Sequence, residues 1–270
     1  MRSRQDECTL GLWLHGTPSR STAWTGEPDR ARTDAARDRC HRLEPRKVYG
    51  GLSIHVLRCE HAPVPLALSA LPTTQTAAVP ESADIDQLLP VLAVDNLPRL
   101  IVLGEDAALA AVLTHLMRTE QLHVEIGYVP VEKTYASRGY QTGTGNTAAR
   151  RALEGRAEPT PLIRDDLGKV LVGRAMITGV GEEKLTGEAY VDDAQLFSGK
   201  VTVMIISPTL DLPGVRASVR KGLRQRPWLR GRAAQLGTPG AIVTRDGVRA
   251  DRPVPRSSFY RHHEPWLLVR

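Results

Sequence analysis

The chain has 270 residues, of which 41% are hydrophobic, and it carries a formal net charge of +6 at pH 7. This size and composition predict a globular protein with a buried core, and no apolar run approaches the ~20 residues that span a bilayer. The first residues lack the apolar core of a secretory signal, so we expect a cytoplasmic protein. Its cysteines, Cys8, Cys40 and Cys59, are widely spaced, which argues against a disulfide framework and against zinc or redox chemistry.

Residues 1–46 are rich in Arg, Asp, Thr and Pro, and their apolar residues are mostly isolated. A segment of this kind buries too little apolar surface to offset the entropy that it loses on ordering. We therefore predict that 1–46 is a poorly ordered extension that contains one short helix over 34–43.

The next part of the chain alternates between regular segments and loops. Residues 48–57 alternate apolar and polar side chains, as a half-buried strand does. Several prolines then mark a loop region with one short predicted strand at 66–68. An amphipathic helix follows, for which Ser82 or Asp84 is the expected cap and Pro98 the expected end.

The stretch from residue 100 to residue 147 contains the clearest pattern. Leu100–Leu103 is a short β-branched run that predicts a strand buried on both faces of a parallel sheet. A helical face over 109–116 and a second strand at 124–131 complete a βαβ unit. Ligands of such units bind beyond the carboxyl ends of the strands, where loops 104–108 and 143–147 are expected to lie.

Both loops have the composition of a phosphate site. The first reads Gly104-Glu105-Asp106-Ala107-Ala108, and the second reads Gly143-Thr144-Gly145-Asn146-Thr147 before an Ala-Ala-Arg-Arg helix start. Glycine allows the backbone to approach a ligand closely, and the free N–H groups and dipole of a helix start favour anions. The alternatives are an ordinary strand-to-helix turn capped by Asp106 and a flexible glycine-rich turn.

These loops resemble those of the diacylglycerol kinase and lipid kinase catalytic domain, a relative of the NAD kinases. In that family a Gly-Gly-Asp-Gly-Thr loop and a Gly-Thr-Gly-Asn-Asp/Thr-x-Ala-Arg loop line the ATP site. The second loop here matches nearly residue for residue. In the first loop Gly104 and Asp106 match, whereas Glu105, Ala107 and Ala108 stand in place of Gly, Gly and Thr.

The resemblance implies a site for ATP and Mg²⁺. It makes Asp106 the catalytic acidic residue, close to the metal or the nucleophile. The residues that it implies for nucleotide binding are Gly104, Asp106, Gly143, Thr144, Gly145, Asn146 and Thr147. Of these, Thr147 is also the expected cap of the helix that follows.

The resemblance covers 47–269 and implies a two-domain fold. We predict an α/β N-terminal domain with a parallel sheet over 47–151, of the NAD kinase and diacylglycerol kinase type, and a β-rich C-terminal sandwich domain over 152–270. Short strands separated by turns after Arg151 independently indicate an antiparallel sandwich or barrel. One of these predicted strands covers 170–177, and the run at 200–207 is the clearest of them.

Two polar motifs in the C-terminal part invite a functional interpretation. Asp246-Gly247-Val248 falls where the family commonly has Asp-Gly-Glu, whose glutamate is a candidate general base. Valine accepts no proton, so we favour an ordinary turn there. His262-His263-Glu264 suggests a metal site, but adjacent histidines point differently in a regular element, so we favour a polar turn and predict no metal ligands.

Residues 214–256 contain eleven Lys or Arg against two Asp. Such a segment attracts phosphates, anionic lipid head groups or nucleic acid, or it is simply a solvated face. Only Trp228 among the aromatic residues lies within it, which argues against specific single-strand recognition.

Our leading hypothesis is a diacylglycerol kinase-like protein that transfers the γ-phosphoryl of ATP to a lipid or other hydroxyl. The lost glycines and glutamate leave open whether the chain is an active enzyme or a catalytically impaired pseudokinase. One alternative is a non-catalytic scaffold or regulatory protein of the same fold, and homo-oligomerisation is also open. The second alternative is a protein that binds anionic membranes or nucleic acid through 214–256. If it binds membranes, we expect it to lie peripherally at a membrane surface.

Overall fold

The structure is a computed structural model, and it describes residues 52–92 and 97–270. The predicted extension 1–46, its helix at 34–43 and the start of the predicted strand at 48–51 lie outside the described residues.

Within these ranges the chain forms strands, five α-helices and one 3-10 helix at Leu66–Leu68. The strands are β1 (Leu52–Cys59), β2 (Thr73–Thr76), β3 (Leu97–Leu103), β4 (Glu125–Val129), β5 (Ala157–Thr160), β6 (Ile163–Asp165), β7 (Val170–Leu171), β8 (Ala175–Thr178), β9 (Leu185–Val191), β10 (Ala194–Val201), β11 (Val203–Pro208), β12 (Val215–Lys221), β13 (Arg224–Gln225), β14 (Leu229–Gly231), β15 (Ala233–Arg245), β16 (Val248–Arg249), β17 (Val254–Arg261) and β18 (Trp266–Val269). The helices are α1 (Ser82–Asp86), α2 (Leu89–Leu92), α3 (Asp106–Arg118), α4 (Tyr135–Gly139) and α5 (Gly145–Glu154).

The first sheet has the strand order β2-β1-β3-β4-β18-β5, and all its pairs are parallel except β18 with β5. Side chains of β3 alternate between two cores, as expected for a strand with both faces covered. Leu100 and Val102 pack in the core that includes α3, whereas Ile101 and Leu103 pack in the core that includes α5. The predicted parallel α/β sheet is therefore confirmed.

The second sheet is antiparallel and follows the path β13-β12-β11-β8-β15-β17-β6-β7, with the β9–β10 hairpin attached to β15. The pairing of β15 with β17 shifts register between Gly237 and Ala241. The first half of β15 pairs with β9 and β17, and its second half pairs with β8. Side chains from both halves fill one core. The predicted β-rich C-terminal part is thus confirmed.

The segment predicted as the β-rich domain also supplies β5 and β18 to the first sheet. The last strand of the chain inserts between β4 and β5, and it places the fully buried Trp266 in the core beneath α3. The division into 47–151 and 152–270 stays a prediction.

Several local predictions are wrong in detail. The residues 66–68 form a 3-10 helix rather than a strand, because Pro65 leads into a turn in which its carbonyl accepts the Leu68 N–H. The predicted helix after residue 82 is two short helices, and its N-cap is Glu81 rather than Ser82 or Asp84. Pro98 lies within β3 rather than at a helix end.

Among the described residues, none of the helices combines the length and the apolar character needed to cross a membrane.

Candidate active site

A cleft of about 450 Å³ lies where the carboxyl ends of β3 and β4 face the second sheet. Residues from both sheets line it: Glu105, Asp106, Glu132, Lys133, Thr134, Tyr135, Arg174, Met176, Thr244, Asp246 and Gly247. Its position agrees with the expectation that ligands of an α/β sheet bind beyond the carboxyl ends of the strands.

Asp106 is the first residue of α3, and its side chain is buried. Its Oδ1 accepts a hydrogen bond from the Tyr128 hydroxyl at 2.8 Å, and its Oδ2 accepts one from the Ala136 N–H at 3.1 Å. The residue at the cap position is Glu105, so the alternative in which Asp106 caps the helix is wrong. The Asp106 carboxylate instead connects β4 and α4 to the floor of the cleft.

Asp246 follows β15 in the turn that leads to β16. Its carboxylate accepts three backbone N–H groups, from Val172 at 3.0 Å, Gly173 at 2.8 Å and Arg174 at 2.9 Å. The sequence predicted a turn at Asp246, but it did not predict that three backbone N–H groups would hold the Asp246 carboxylate. The sequence predicts one strand over 170–177, whereas the chain breaks between β7 and β8 and exposes these N–H groups to Asp246.

Burial raises the pKa of Asp246 from its usual 3.8 to about 7. The three N–H donors oppose this rise, and the nearby charge of Asp106 adds to it. Asp246 therefore exchanges a proton close to neutral pH, which is the range in which a general base works best.

Gly173 is the point at which the two carboxylates meet. A Cβ at this position would clash with Asp106 Oδ2 and would lie 3.0 Å from Asp246 Oδ1. The backbone of Gly173 does not adopt a left-handed conformation, so its requirement for glycine is purely one of space. Any side chain at 173 would push one carboxylate away from the other.

Two buried phenols support this arrangement. Burial and the charge of Asp106 raise the pKa of Tyr128, which keeps its hydroxyl protonated as a donor to Asp106. Burial, followed by the charges of Asp246 and Asp106, also raises the pKa of Tyr140. The Tyr140 ring packs edge-on against Trp266 with ring centroids 5.3 Å apart. Tyr140 thus belongs to the core.

The mouth of the cleft carries cations as well as acids. The Arg174 guanidinium stacks 3.7 Å from the ring centroid of Tyr135, and Arg138 lies 5.6 Å from that same centroid. Lys133 lines the cleft and is exposed. Partial burial and the neighbouring charges of Asp106 and Glu132 raise the pKa of Glu105.

The two glycine loops reach the same end of β4. The Gly104 N–H donates to the Val129 carbonyl at 3.3 Å, and the Gly145 N–H donates to the next carbonyl, of Pro130, at 2.9 Å. The predicted meeting of the two loops at one sheet edge is therefore present. Within the described chain, the cleft between Asp106 and Asp246 is lined by the first loop and not by the second.

The second loop has the backbone that its glycines predict. Gly143 and Gly145 have φ of +81° and +52°, in the left-handed region that favours glycine. Helix α5 begins at Gly145 with Thr144 at the cap position, so the expectation that Thr147 caps the helix is wrong. Asn146 and Thr147 are exposed in the first turn, where N–H groups lack intrahelical partners.

Gly104 has a packing reason to be glycine. A Cβ there would lie 2.8 Å from the Cβ of Cys59, which is too close. Cys59 is buried, and burial raises the pKa of its thiol to about 11, so it is an inert core residue.

The histidine motif lies in the connection from β17 to β18. The ligand atoms of His262, His263 and Glu264 lie within 4.8 Å of one another, and the two imidazole centroids are 4.1 Å apart. The side chains do not point apart as expected, because this connection is not a regular element. The absence of a metal site there stays a prediction.

Comparisons with known proteins agree at the level of the fold. No family model matches the sequence, and no curated protein matches it. A solved diacylglycerol kinase from Bacillus anthracis strain Sterne is similar in structure, with a TM-score of 0.63 at 12% identity, over 80% of this chain and 96% of that one. An NAD kinase from Archaeoglobus fulgidus in complex with ATP has a TM-score of 0.52 at 11% identity, over 81% and 93% of the two chains. The chain therefore has the diacylglycerol kinase and NAD kinase fold.

Proposed function

We propose that this protein is a diacylglycerol kinase-like phosphotransferase that moves the γ-phosphoryl of ATP to a hydroxyl of a lipid or another acceptor. One observation carries the proposal: the carboxylates of Asp106 and Asp246 converge on Gly173 in a cleft at the carboxyl ends of the parallel strands. The fold and the second glycine loop agree with it. The site residues implied by the resemblance are part of the same proposal.

Asp246 is the proposed general base. A pKa of about 7 allows it to take the proton of an acceptor hydroxyl at neutral pH. The hydroxyl oxygen then bonds to the γ-phosphorus, the bond from that phosphorus to the bridging oxygen breaks, and ADP leaves with the electron pair. In this proposal Asp246 takes over the role that Val248 cannot perform.

Asp106 is the proposed partner of the base. Held by Tyr128 and Ala136, it keeps a carboxylate beside Asp246 and contributes to the raised pKa of that residue. The two acids offer oxygen ligands of the kind that Mg²⁺ takes, although each oxygen already accepts a hydrogen bond. Bound Mg²⁺ would neutralise charge on the phosphates.

We assign phosphate binding to cations at the mouth of the cleft and to the first turn of α5, which does not itself line the cleft. Arg174 and Lys133 supply positive charge at its mouth, and the first turn of α5 supplies the free amides of Asn146 and Thr147. Together these groups would hold the triphosphate between the second loop and the two carboxylates.

The test is transfer of the labelled γ-phosphoryl from ATP to diacylglycerol in micelles, in the presence of Mg²⁺. We expect Asp246→Asn to lower the rate about 100-fold or more, since it removes the base. Chelation of Mg²⁺ should stop transfer.

Asp192→Asn is the matched control. Asp192 also sits in a hairpin turn with positive φ, and its carboxylate also accepts backbone N–H groups, from Arg232 and Ala233, outside the cleft. It should leave the rate unchanged. ATP binding without transfer to any hydroxyl acceptor would favour the non-catalytic alternative.

A further inference from the structure

The hairpin between β12 and β13 has an apolar tip. Its two-residue turn is Gly222-Leu223, and Leu223 is fully exposed. The turn is tied to the neighbouring strand connection, since Gly222 has a φ of +61° and its N–H donates to Thr202 Oγ1 at 3.0 Å. An exposed leucine on a held turn is available for an apolar contact outside the chain, and the residues around it decide what kind of surface it fits.

The same hairpin carries uncompensated positive charge. Lys221 pairs directly opposite Arg224, and like charges opposite each other destabilise an antiparallel pair. Arg220 and Arg226 are exposed beside them. The sequence has no Asp or Glu from 214 to 245, and none of the ion pairs in the described part of the chain involves these four residues. An anionic surface would remove the repulsion.

An amphipathic aromatic side chain lies next to the hairpin. Trp228 is partly exposed, and its ring faces the Arg216 guanidinium at 4.7 Å. Tryptophan beside basic residues is typical of segments that rest at a membrane–water interface.

We propose that the segment 220–226, here called the basic hairpin, docks on an anionic lipid bilayer. Leu223 would enter the boundary between head groups and acyl chains, and the Lys and Arg side chains would contact anionic head groups. A bilayer fits better than a nucleic acid because leucine offers neither a hydrogen bond nor a stacking face. The proposal does not depend on the kinase function, since the basic hairpin lies outside the cleft.

Co-sedimentation of the full chain with vesicles tests it. We expect binding to vesicles of phosphatidylcholine with phosphatidylserine and little binding to phosphatidylcholine alone. Each Lys or Arg near an anionic surface strengthens binding about fivefold, so Lys221→Gln with Arg224→Gln should weaken it about 25-fold. Leu223→Ser should weaken it about tenfold or more, because it removes the inserted side chain.

Leu66→Ser is the matched control, since Leu66 is 84% exposed on the 3-10 helix, far from any basic cluster in sequence. It should bind like the wild type. Equal binding by Leu223→Ser and wild type, or no wild-type binding to anionic vesicles, would overturn the proposal. Displacement of the vesicles by duplex DNA, with DNA binding that is insensitive to Leu223→Ser, would overturn it in favour of nucleic acid. A circular-dichroism melt of each variant shows whether weaker vesicle binding comes from a folding defect. An ATP titration of each variant shows whether the proposed nucleotide site is affected.

Discussion

At the scale of single residues, Gly173 decides the geometry of the cleft. In the sequence it only ends the apolar stretch Val170-Leu171-Val172 ahead of Arg174, and this pattern does not mark the glycine as part of a site. Its lack of a side chain is nevertheless what leaves room for the carboxylates of both Asp106 and Asp246 beside its backbone. Local pattern cannot reveal a glycine that is required in this way, because Asp106 lies 67 positions before it and Asp246 lies 73 positions after it.

Asp246 should make stability depend on pH in an unusual direction. Its pKa is raised from 3.8 to about 7 in the folded state, so the folded chain binds more protons than the unfolded chain between these values. Its contribution to the free energy of unfolding is therefore fully present below pH 3.8 and is lost as the pH rises through 7.

The measurement is urea denaturation of wild type and Asp246→Asn at a series of pH values. The free energy of unfolding of the wild type, relative to that of the variant, should fall as pH rises by at most about 1.4 kcal/mol per pH unit. The fall should approach this limit only between the unfolded and folded pKa values of 3.8 and about 7, and it should be smaller outside that range. A difference that stays constant or grows with pH would show that folding does not raise the pKa of Asp246.

At the scale of elements, Arg99 ties three segments together. Its guanidinium pairs with Glu125 of β4 at 2.7 Å and donates to the carbonyls of Ala152, Leu153 and Gly155 at the end of α5. It thus fixes the helix whose other end carries the second glycine loop. The sequence suggested none of this, because a lone arginine beside Pro98 has the pattern of a loop.

Arg99→Met should lower the free energy of unfolding by about 3–5 kcal/mol, because it leaves a buried carboxylate and several carbonyls without their partner. Chemical denaturation measures this. Arg270→Met is the control, since the pair of Arg270 and Glu158 is exposed, with side-chain exposures of 36% and 44% against 4% and 13% for the buried pair. It should cost no more than about 1 kcal/mol. Similar losses in both variants would mean that Arg99 does not anchor α5.

The elements that the sequence predicted best are those with strong local patterns. β3, α3 and β4 follow from a β-branched run, an apolar helix face and a second apolar run. The break between β7 and β8 was missed because the residues on both sides are apolar and β-branched. The placement of β18 in the first sheet was missed because local pattern does not determine a strand's partners.

At the scale of the whole molecule, the resemblance to the diacylglycerol kinase family predicted more of the fold than the composition did. Two short loops predicted an α/β sheet followed by a β-rich part, and both are present. The comparisons support the same fold at 11–12% identity, where residue roles do not transfer by themselves. The sequence indicated only a turn at Asp246, because the backbone groups that hold its carboxylate lie more than 70 residues earlier in the chain.

We predict that the two carboxylates around Gly173 form part of a nucleotide-binding cleft. Calorimetric titration of ATP with Mg²⁺ into wild type, Gly173→Ala and Gly231→Ala tests it most directly. Gly231 is the matched glycine, because a Cβ there would lie 2.6 Å from Asp192 Oδ2, outside the cleft. We predict saturable binding by wild type and Gly231→Ala, and at least about tenfold weaker binding by Gly173→Ala, since the added methyl drives the acids apart. Absence of ATP binding by the wild type, or equal affinities in all three proteins, would contradict it.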